Sequence, residues 1–293
     1  MSADPFAALL ELPGVAEAVT ASRTAIDGLL GHRVLRRRSA EVTAESALRG
    51  ARASAELEGA GMELERLRGQ LMNGQAVTVA NRDVRLSQLA ANAVRVHADL
   101  GSLLPSWKSS PRQALARLHV LAAADLGLEA DRMGRPRSDD RVDDPLELGP
   151  APLPAEVAAR LDGLTRLLLT PTSAPAVVVA AVVHGELLAL RPFGVADGLV
   201  ARAAARLVLV DRGLDPKAVS APEVGFAELD AAARRARHGH GGSPDGRTYD
   251  EAVRDYIAGG REGVGRWIVT CADAVALGAR EGLAVCEAIL RQT

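Results

Sequence analysis

Across its 293 residues the chain shows almost no period-two alternation of β-branched residues, and Ala, Leu, Arg and Glu dominate nearly every segment. Strands need that alternation, while these four residues are strong helix formers. The expectation is therefore an all-α fold. Alanine supplies 55 residues and aromatics only 2% of the chain, so the helices must pack closely through Ala and Leu. The 48% hydrophobic content is too high for a disordered chain.

Other classes fall away. No run of eighteen uncharged apolar residues is present, so no transmembrane helix is expected. Met1 to Leu12 carries Asp4 and Glu11 and lacks a basic leader region, so it does not read as a signal peptide. The formal net charge of −2 argues against a dedicated nucleic-acid binder. The basic residues are 33 Arg and 2 Lys, Lys108 and Lys217. Enrichment of Ala, Arg and Gly together reads as codon bias, so each arginine must be argued from its position. Cys271 and Cys286 fall in one expected helix about 22 Å apart, too far to bridge. No metal spacing is present, and the expected compartment is the reducing cytoplasm.

Along the chain, the pattern predicts a first helical segment over 4–35, its loose apolar stripe broken by Pro13, with a solvated basic cluster at Arg33, Arg36, Arg37 and Arg38. Helix is expected over 43–73, broken into two near Gly59 to Met62. Further helices are expected over 77–104, 112–126, 155–169, 176–190, 197–213, 249–258 and 263–290. Pro105 and Pro111 bracket a turn. Residues 127–154 are polar and rich in Gly, Pro and Asp, a long functional loop or a short hairpin. Residues 176–190 are apolar all round and must be buried. Asp197 is a plausible N-cap and Gly213 a plausible C-cap for the helix that follows. His238 and His240 lie in a Gly-rich loop over 238–247 and read as solvated, because a mobile loop fixes no metal geometry. AGGREGVG at 258–265 follows no strand and so lacks the context of a dinucleotide motif.

The chemistry-bearing stretch is AVVHGELLALRPFGVADGLVARAAARLVLVDRGLDP, residues 181–216. A buried helix, a short loop with Gly194 and Gly198, and a second helix follow one another. A helix N-terminus with unpaired N–H groups beside a glycine is an anion cradle, and Arg202 lies one turn inside it.

This segment resembles the Fic (Fido) domain family, whose signature is His-Pro-Phe-x-Asp/Glu-Gly-Asn-Gly-Arg-x-x-Arg between two helices. Here Arg-Pro-Phe-Gly-Val-Ala-Asp-Gly-Leu-Val-Ala-Arg stands at 191–202, with His184 seven residues before it. Upstream, Ser54-Ala-Glu-Leu-Glu58-Gly59 is similar to the family's inhibitory Ser/Thr-x-x-x-Glu-Gly/Asn helix. The resemblance spans about residues 40–285. It implies an all-α, Fic-like helical bundle with a short flap hairpin or loop before the motif. It also implies N-terminal helices over 1–75 that carry an inhibitory-type helix (Ser54, Glu58, Gly59), followed by a core over 76–293.

The departures fall on the side chains that carry the chemistry. The general-base histidine is Arg191, which cannot accept the target hydroxyl's proton. The Mg²⁺-binding acid is Val195, and a hard cation needs oxygen ligands. Asp197 replaces the asparagine and Leu199 the first arginine. Pro192, Phe193, Gly198 and Arg202 are retained. By resemblance Gly194, Asp197, Gly198 and Arg202 form the phosphate or nucleotide site, and Glu58 is expected to pair with Arg202. Arg191 reads as a loop arginine stacked on a neighbour, or as a cation that fills the site or binds an anionic ligand. His184 reads as a satisfied core histidine. Residues 131–148, with Arg132, Gly134 and Arg137, stand at the flap; they are short of β-branched residues and read as a solvated acidic–basic loop.

The expected function is a non-catalytic pseudoenzyme acting by protein or nucleotide binding. Two alternatives stay open: an AMP or phosphoryl transferase acting on protein hydroxyls with a non-standard base such as Asp197, and a helical scaffold with a self-filled cleft. No catalytic residue and no metal ligand is assigned. ATP or another nucleotide is the ligand the resemblance implies, with Mg²⁺ disfavoured. A protein partner is expected at the cleft and the 131–148 loop; a homo-oligomer stays open, and no nucleic acid or membrane is expected.

Overall fold

The computed structural model describes residues 4–238 and 246–291; His240 lies outside them. Among the described residues there are eleven α-helices and no strand, so the fold is all-α. The helices are α1 (Val15–Leu30), α2 (Ser39–Glu56), α3 (Leu64–Met72), α4 (Val84–Ser109), α5 (Pro111–Ala122), α6 (Pro154–Leu169), α7 (Ala176–Leu190), α8 (Asp197–Asp211), α9 (Pro222–Arg237), α10 (Tyr249–Ala258) and α11 (Gly260–Arg291). None is long and apolar enough to cross a membrane.

Local chemistry sets several ends. The Schellman motif closing α2 has Gly59 in the left-handed region (φ +82°), with Ala60 N–H donating to Ala55 O at 2.8 Å and Gly59 N–H to Glu56 O at 2.9 Å. That motif is the break expected near Gly59. Asp83 caps α4, accepting from Leu86 N–H at 2.8 Å. Thr248 and Glu251 form a capping box at α10.

Three sequence expectations are corrected. The first segment is not one helix: single 3-10 turns at Ala7–Glu11 and Arg33–Arg36 flank α1, and Pro13 separates the first turn from it. The helix expected over 77–104 starts later and runs on through Pro105 to Ser109, because the bond lost to Gly101 lies on the exposed side. A further helix, α9, occupies 222–237.

The chain divides into two compact units. One comprises Met1–Gly50, Thr172–Val182 and Val208–Thr293; the other Ala51–Pro171 and Val183–Leu207. In the first, α1, α9 and α10 pack on the 32-residue α11. Phe226, Tyr249, Tyr256 and Trp267 gather there, with the Trp267 centroid 6.1–6.4 Å from those of the other rings. Trp267 Nε1 donates to Ala181 O at 2.8 Å, satisfying its one polar atom. Cys271 and Cys286, both on α11, are free and buried. In the second unit α4 packs on α5 and α5 on α6. Asn92 ties α4 to the end of α5, donating to Ala122 O at 3.0 Å and Ala124 O at 2.6 Å.

Candidate functional site

Every residue of the 191–202 signature lies in the second unit, together with Ser54, Glu58 and residues 131–148. The loop joining α7 to α8 is tightly wound. Arg191, Gly194 and Ala196 all have positive φ, at 44°, 79° and 55°. The signature places a glycine at 196, so Ala196 holds a left-handed conformation that costs an L-residue roughly 1–2 kcal/mol. Gly194 has no such freedom to change, since a Cβ there would lie 2.7 Å from Arg141 O. Phe193 is buried and stacks on His119, with centroids 4.3 Å apart and planes 7° from parallel. Burial pulls the His119 imidazole down to about 4, the Val195 backbone opposing and the Arg132 charge adding to the fall.

Asp197 opens α8 but does not cap it forwards. Its carboxylate reaches back, accepting from Phe193 N–H at 3.0 Å and Gly194 N–H at 2.7 Å. It braces its own loop. Burial pushes its pKa up to about 7; the two amide bonds oppose that shift, the Glu58 charge adds to it and the Arg137 charge opposes it.

The start of α8 meets a carboxylate from α2's end. Glu58 lies so near Gly198 that a Cβ on Gly198 would overlap Glu58 Oε1 and lie 2.9 Å from its Cδ. The glycine is required by this approach. Arg202 Nη2 donates to Glu58 Oε1 at 2.7 Å, and the two side chains are 1% and 3% exposed. Arg202 Nε donates to Ser54 Oγ at 2.8 Å and Nη2 also to Ser54 O at 3.0 Å. Ser54, Glu58, Gly198 and Arg202 thus meet at the helix N-terminus, where the partial positive charge favours an anion.

Arg191 is also buried, 3% exposed, but differently held. Its Nη1 donates to Gly149 O at 2.8 Å and lies 3.4 Å from Asp144 Oδ1, while its buried Nε has no hydrogen-bond partner. Burial pulls its pKa below the ordinary arginine value, with Asp144 and Asp197 opposing. It does not stack on a ring; it clamps the 131–149 segment. Arg137 holds the same segment from the other side. It is 4% exposed, donating from Nε to Arg191 O at 3.1 Å, from Nη1 to Asp139 O at 2.8 Å, and from Nη2 to Pro152 O.

The 131–148 stretch is, as expected, a largely solvated loop, in which Arg137 alone is buried. It has no strand, yet two main-chain bonds fix it to the motif loop: Arg137 N–H to Pro192 O at 2.8 Å and Asp143 N–H to Gly194 O at 2.7 Å. Gly134 N–H donates to His119 Nδ1 at 3.0 Å, so the flap position reaches the ring beneath Phe193. His119 carries no sequence signal for this role. His184 is buried in α7.

Between this loop, α4 and the motif lies a cavity of about 310 Å³. Glu58, Asp197, Gly198 and Arg191 line it; Arg202 does not, because Glu58 stands in front of it. Among the described residues no group of three His, Cys, Asp or Glu side chains is spaced to hold a metal ion.

Comparison with known proteins bears on the fold. No protein-family model matches the sequence, and no curated protein matches it. Solved structures do. A Fic family protein from Desulfovibrio desulfuricans matches with TM-score 0.69 and 18% identity, covering 93% of this chain and 75% of its own. Fic-1 from C. elegans matches with TM-score 0.64 and 14% identity, covering 92% and 73%. A Fic domain containing signaling protein from Bacteroides thetaiotaomicron matches with TM-score 0.56 and 16% identity, covering 91% and 98%. At such identities the likeness is one of fold.

Proposed function

From the premise that this chain has the Fic fold, we propose that it is a non-catalytic pseudoenzyme, binding a partner or small ligand at its cleft without transferring a nucleotide. One observation carries the reading. The residue at the base position, Arg191, has no lone pair to accept a proton, and its guanidinium is committed to Gly149 O and Asp144. A second observation supports it: the Glu58 carboxylate lies where the α8 N-terminus would cradle a phosphate. On this reading Ser54, Glu58 and Gly59 form the inhibitory-type element: Gly59 ends α2 so that Glu58 reaches Arg202.

ATP and Mg²⁺ do not fit these residues as they stand. A phosphate at Gly198 would meet Glu58 and Asp197, and Val195 offers no oxygen to a hard cation.

A second reading, a transferase with Asp197 as base, is favoured by the rise of its pKa to about 7, close to an operating pH. Against it, both Asp197 oxygens already accept backbone N–H groups. Incubation with labelled ATP and candidate protein acceptors separates the two. The pseudoenzyme reading expects no label on any acceptor. Label lost in Asp197→Asn would establish the transferase, and label lost in Arg191→Ala would equally overturn the proposal.

A further inference from the structure

The basic cluster at 33–38 divides in the folded chain. Arg38 is engaged: its Nε and Nη2 donate to Glu41 at 2.8 and 2.6 Å, and its Nη1 to Ile289 O on α11 at 3.2 Å. Arg33, Arg36 and Arg37 are exposed, and among the described residues their side chains have no hydrogen bond and no ion pair. The 3-10 turn that carries them is fixed. Val34 and Leu35 are buried, Leu35 N–H donates to His32 O at 3.1 Å, and Arg37 N–H donates to Val34 O at 3.2 Å. A fourth cation lies on the turn. Lys217 Nζ donates to Leu35 O at 3.1 Å, and Lys217 O accepts from Thr43 Oγ1 at 2.8 Å. The carboxylates nearest in sequence are taken. Glu41 holds Arg38, and buried Asp215 accepts from Val219 N–H, Ser220 N–H and the Ser220 hydroxyl. Four cations thus share one turn with no counter-charge of their own. All belong to the first compact unit, whereas the signature loop belongs to the second.

In a 3-10 helix, side chains at i and i+3 eclipse, and a rise of about 2.0 Å per residue sets Arg33 and Arg36 about 6 Å apart on one side. A phosphoryl group offers three acceptor oxygens and nearly two negative charges at neutral pH, so two guanidinium groups can hold it together. A carboxylate has two oxygens, which one guanidinium fork already fills. A membrane would need apolar anchors, and no exposed large hydrophobic residue lies on 31–41 or 211–220. A nucleic acid strand would need rings to stack on, and neither segment has a Phe, Tyr or Trp. We propose that the turn of Arg33, Arg36 and Arg37, with Lys217 beside it, docks a phosphorylated side chain of a partner protein. This surface is independent of the cleft.

Fluorescence anisotropy of the full chain with a fluorescein-labelled Gly-Ala-Gly-phosphoserine-Gly-Ala-Gly peptide tests it, with the same peptide carrying Ser or Glu at its centre as controls. The expected result is saturable phosphopeptide binding, at least about tenfold tighter than either control, that weakens as pH falls through about 6, where the phosphate loses its second charge. The double variant Arg33→Gln with Arg36→Gln should weaken binding at least about tenfold. Arg82→Gln, at another exposed arginine without a partner among the described residues, should change it less than about twofold. The two substituted arginines are exposed and bond to nothing, so the double variant keeps the fold, and an unchanged Tm checks that. Absence of phosphopeptide binding, equal binding of the Glu peptide, or an equal loss in Arg82→Gln overturns the inference. Binding to phosphatidylcholine vesicles that contain phosphatidylserine, with no phosphopeptide bound, overturns it and assigns the turn to a membrane surface. The non-catalytic reading of the cleft stands or falls separately, on AMP transfer.

Discussion

Two buried arginines flank the motif loop, and the fold treats them oppositely. Arg202 sits on helical backbone inside α8 and is bound by Glu58 and Ser54 through hydrogen bonds of 2.7 to 3.0 Å. Arg191 sits in left-handed backbone at φ 44°, keeps one longer ion contact at 3.4 Å, and leaves Nε without a partner. The first is the signature's own residue in a place prepared for it. The second stands where the signature has histidine, and the surrounding structure meets only part of its hydrogen-bonding need. The two arginines thus differ in how completely the fold satisfies them.

That contrast can be broken by substitution. The largest effect is expected at the Glu58–Arg202 pair. Glu58→Ala or Arg202→Ala each leaves a buried charge unpaired and should cost about 3–5 kcal/mol in denaturant unfolding. The double variant Glu58→Leu with Arg202→Met should cost less than either single change, since both charges leave together. Silent single variants would mean the pair contributes nothing.

Next comes Asp197. Its folded pKa of about 7 lies above the ordinary 3.8, so the folded state holds a proton that the unfolded chain has released. Its ionisation therefore costs stability as pH rises from about 4 to about 7. His119 has the opposite sign: with a folded value near 4 against 6.5, its contribution is lost as pH falls from about 6.5 to 4. Comparison of wild type with Asp197→Asn cancels the histidine. The stability of the variant relative to wild type should rise with pH across that window; a flat difference would show that Asp197 titrates normally.

A smaller loss, about 1–3 kcal/mol, is expected for Gly198→Ala, whose Cβ would overlap Glu58. The loss should shrink in a Glu58→Ala background, where the obstacle is gone, as a double-mutant cycle would reveal. The smallest effect belongs to Arg191→Met. It removes the bond to Gly149 O but also the cost of an orphaned Nε, so the unfolding free energy should change by less than about 1 kcal/mol. A loss matching that of Arg202→Ala would erase the distinction between the two arginines.

Much of this was legible in the sequence, for physical reasons. The range 176–190 is apolar apart from His184, Gly185 and Glu186, and 249–258 begins with a capping box, so α7 and α10 fall where the pattern puts them. Gly59 marks a real helix end because its left-handed φ closes a Schellman motif. By contrast α9 buries Pro222 to Phe226 in one run and then only Ala233, which leaves no helical stripe to read. Pro105 reads as a stop but sits near the end of α4, where the broken bond faces water. At the site, the resemblance to the Fic signature and its inhibitory-type helix brought Ser54, Glu58 and Arg202 together. It could not reveal that Asp197 turns back onto Phe193 and Gly194, that Ala196 holds a glycine's conformation, or that Arg137 gathers three carbonyls. Those depend on loop dihedrals and long-range backbone placement, which composition and periodicity do not encode.

The central claim is that the α8 cradle is held by the chain's own Glu58. Calorimetric titration of the wild-type protein with ATP, with and without Mg²⁺, tests it most directly. The account predicts no saturable heat under either condition; a saturable isotherm that Arg202→Lys abolishes would contradict it.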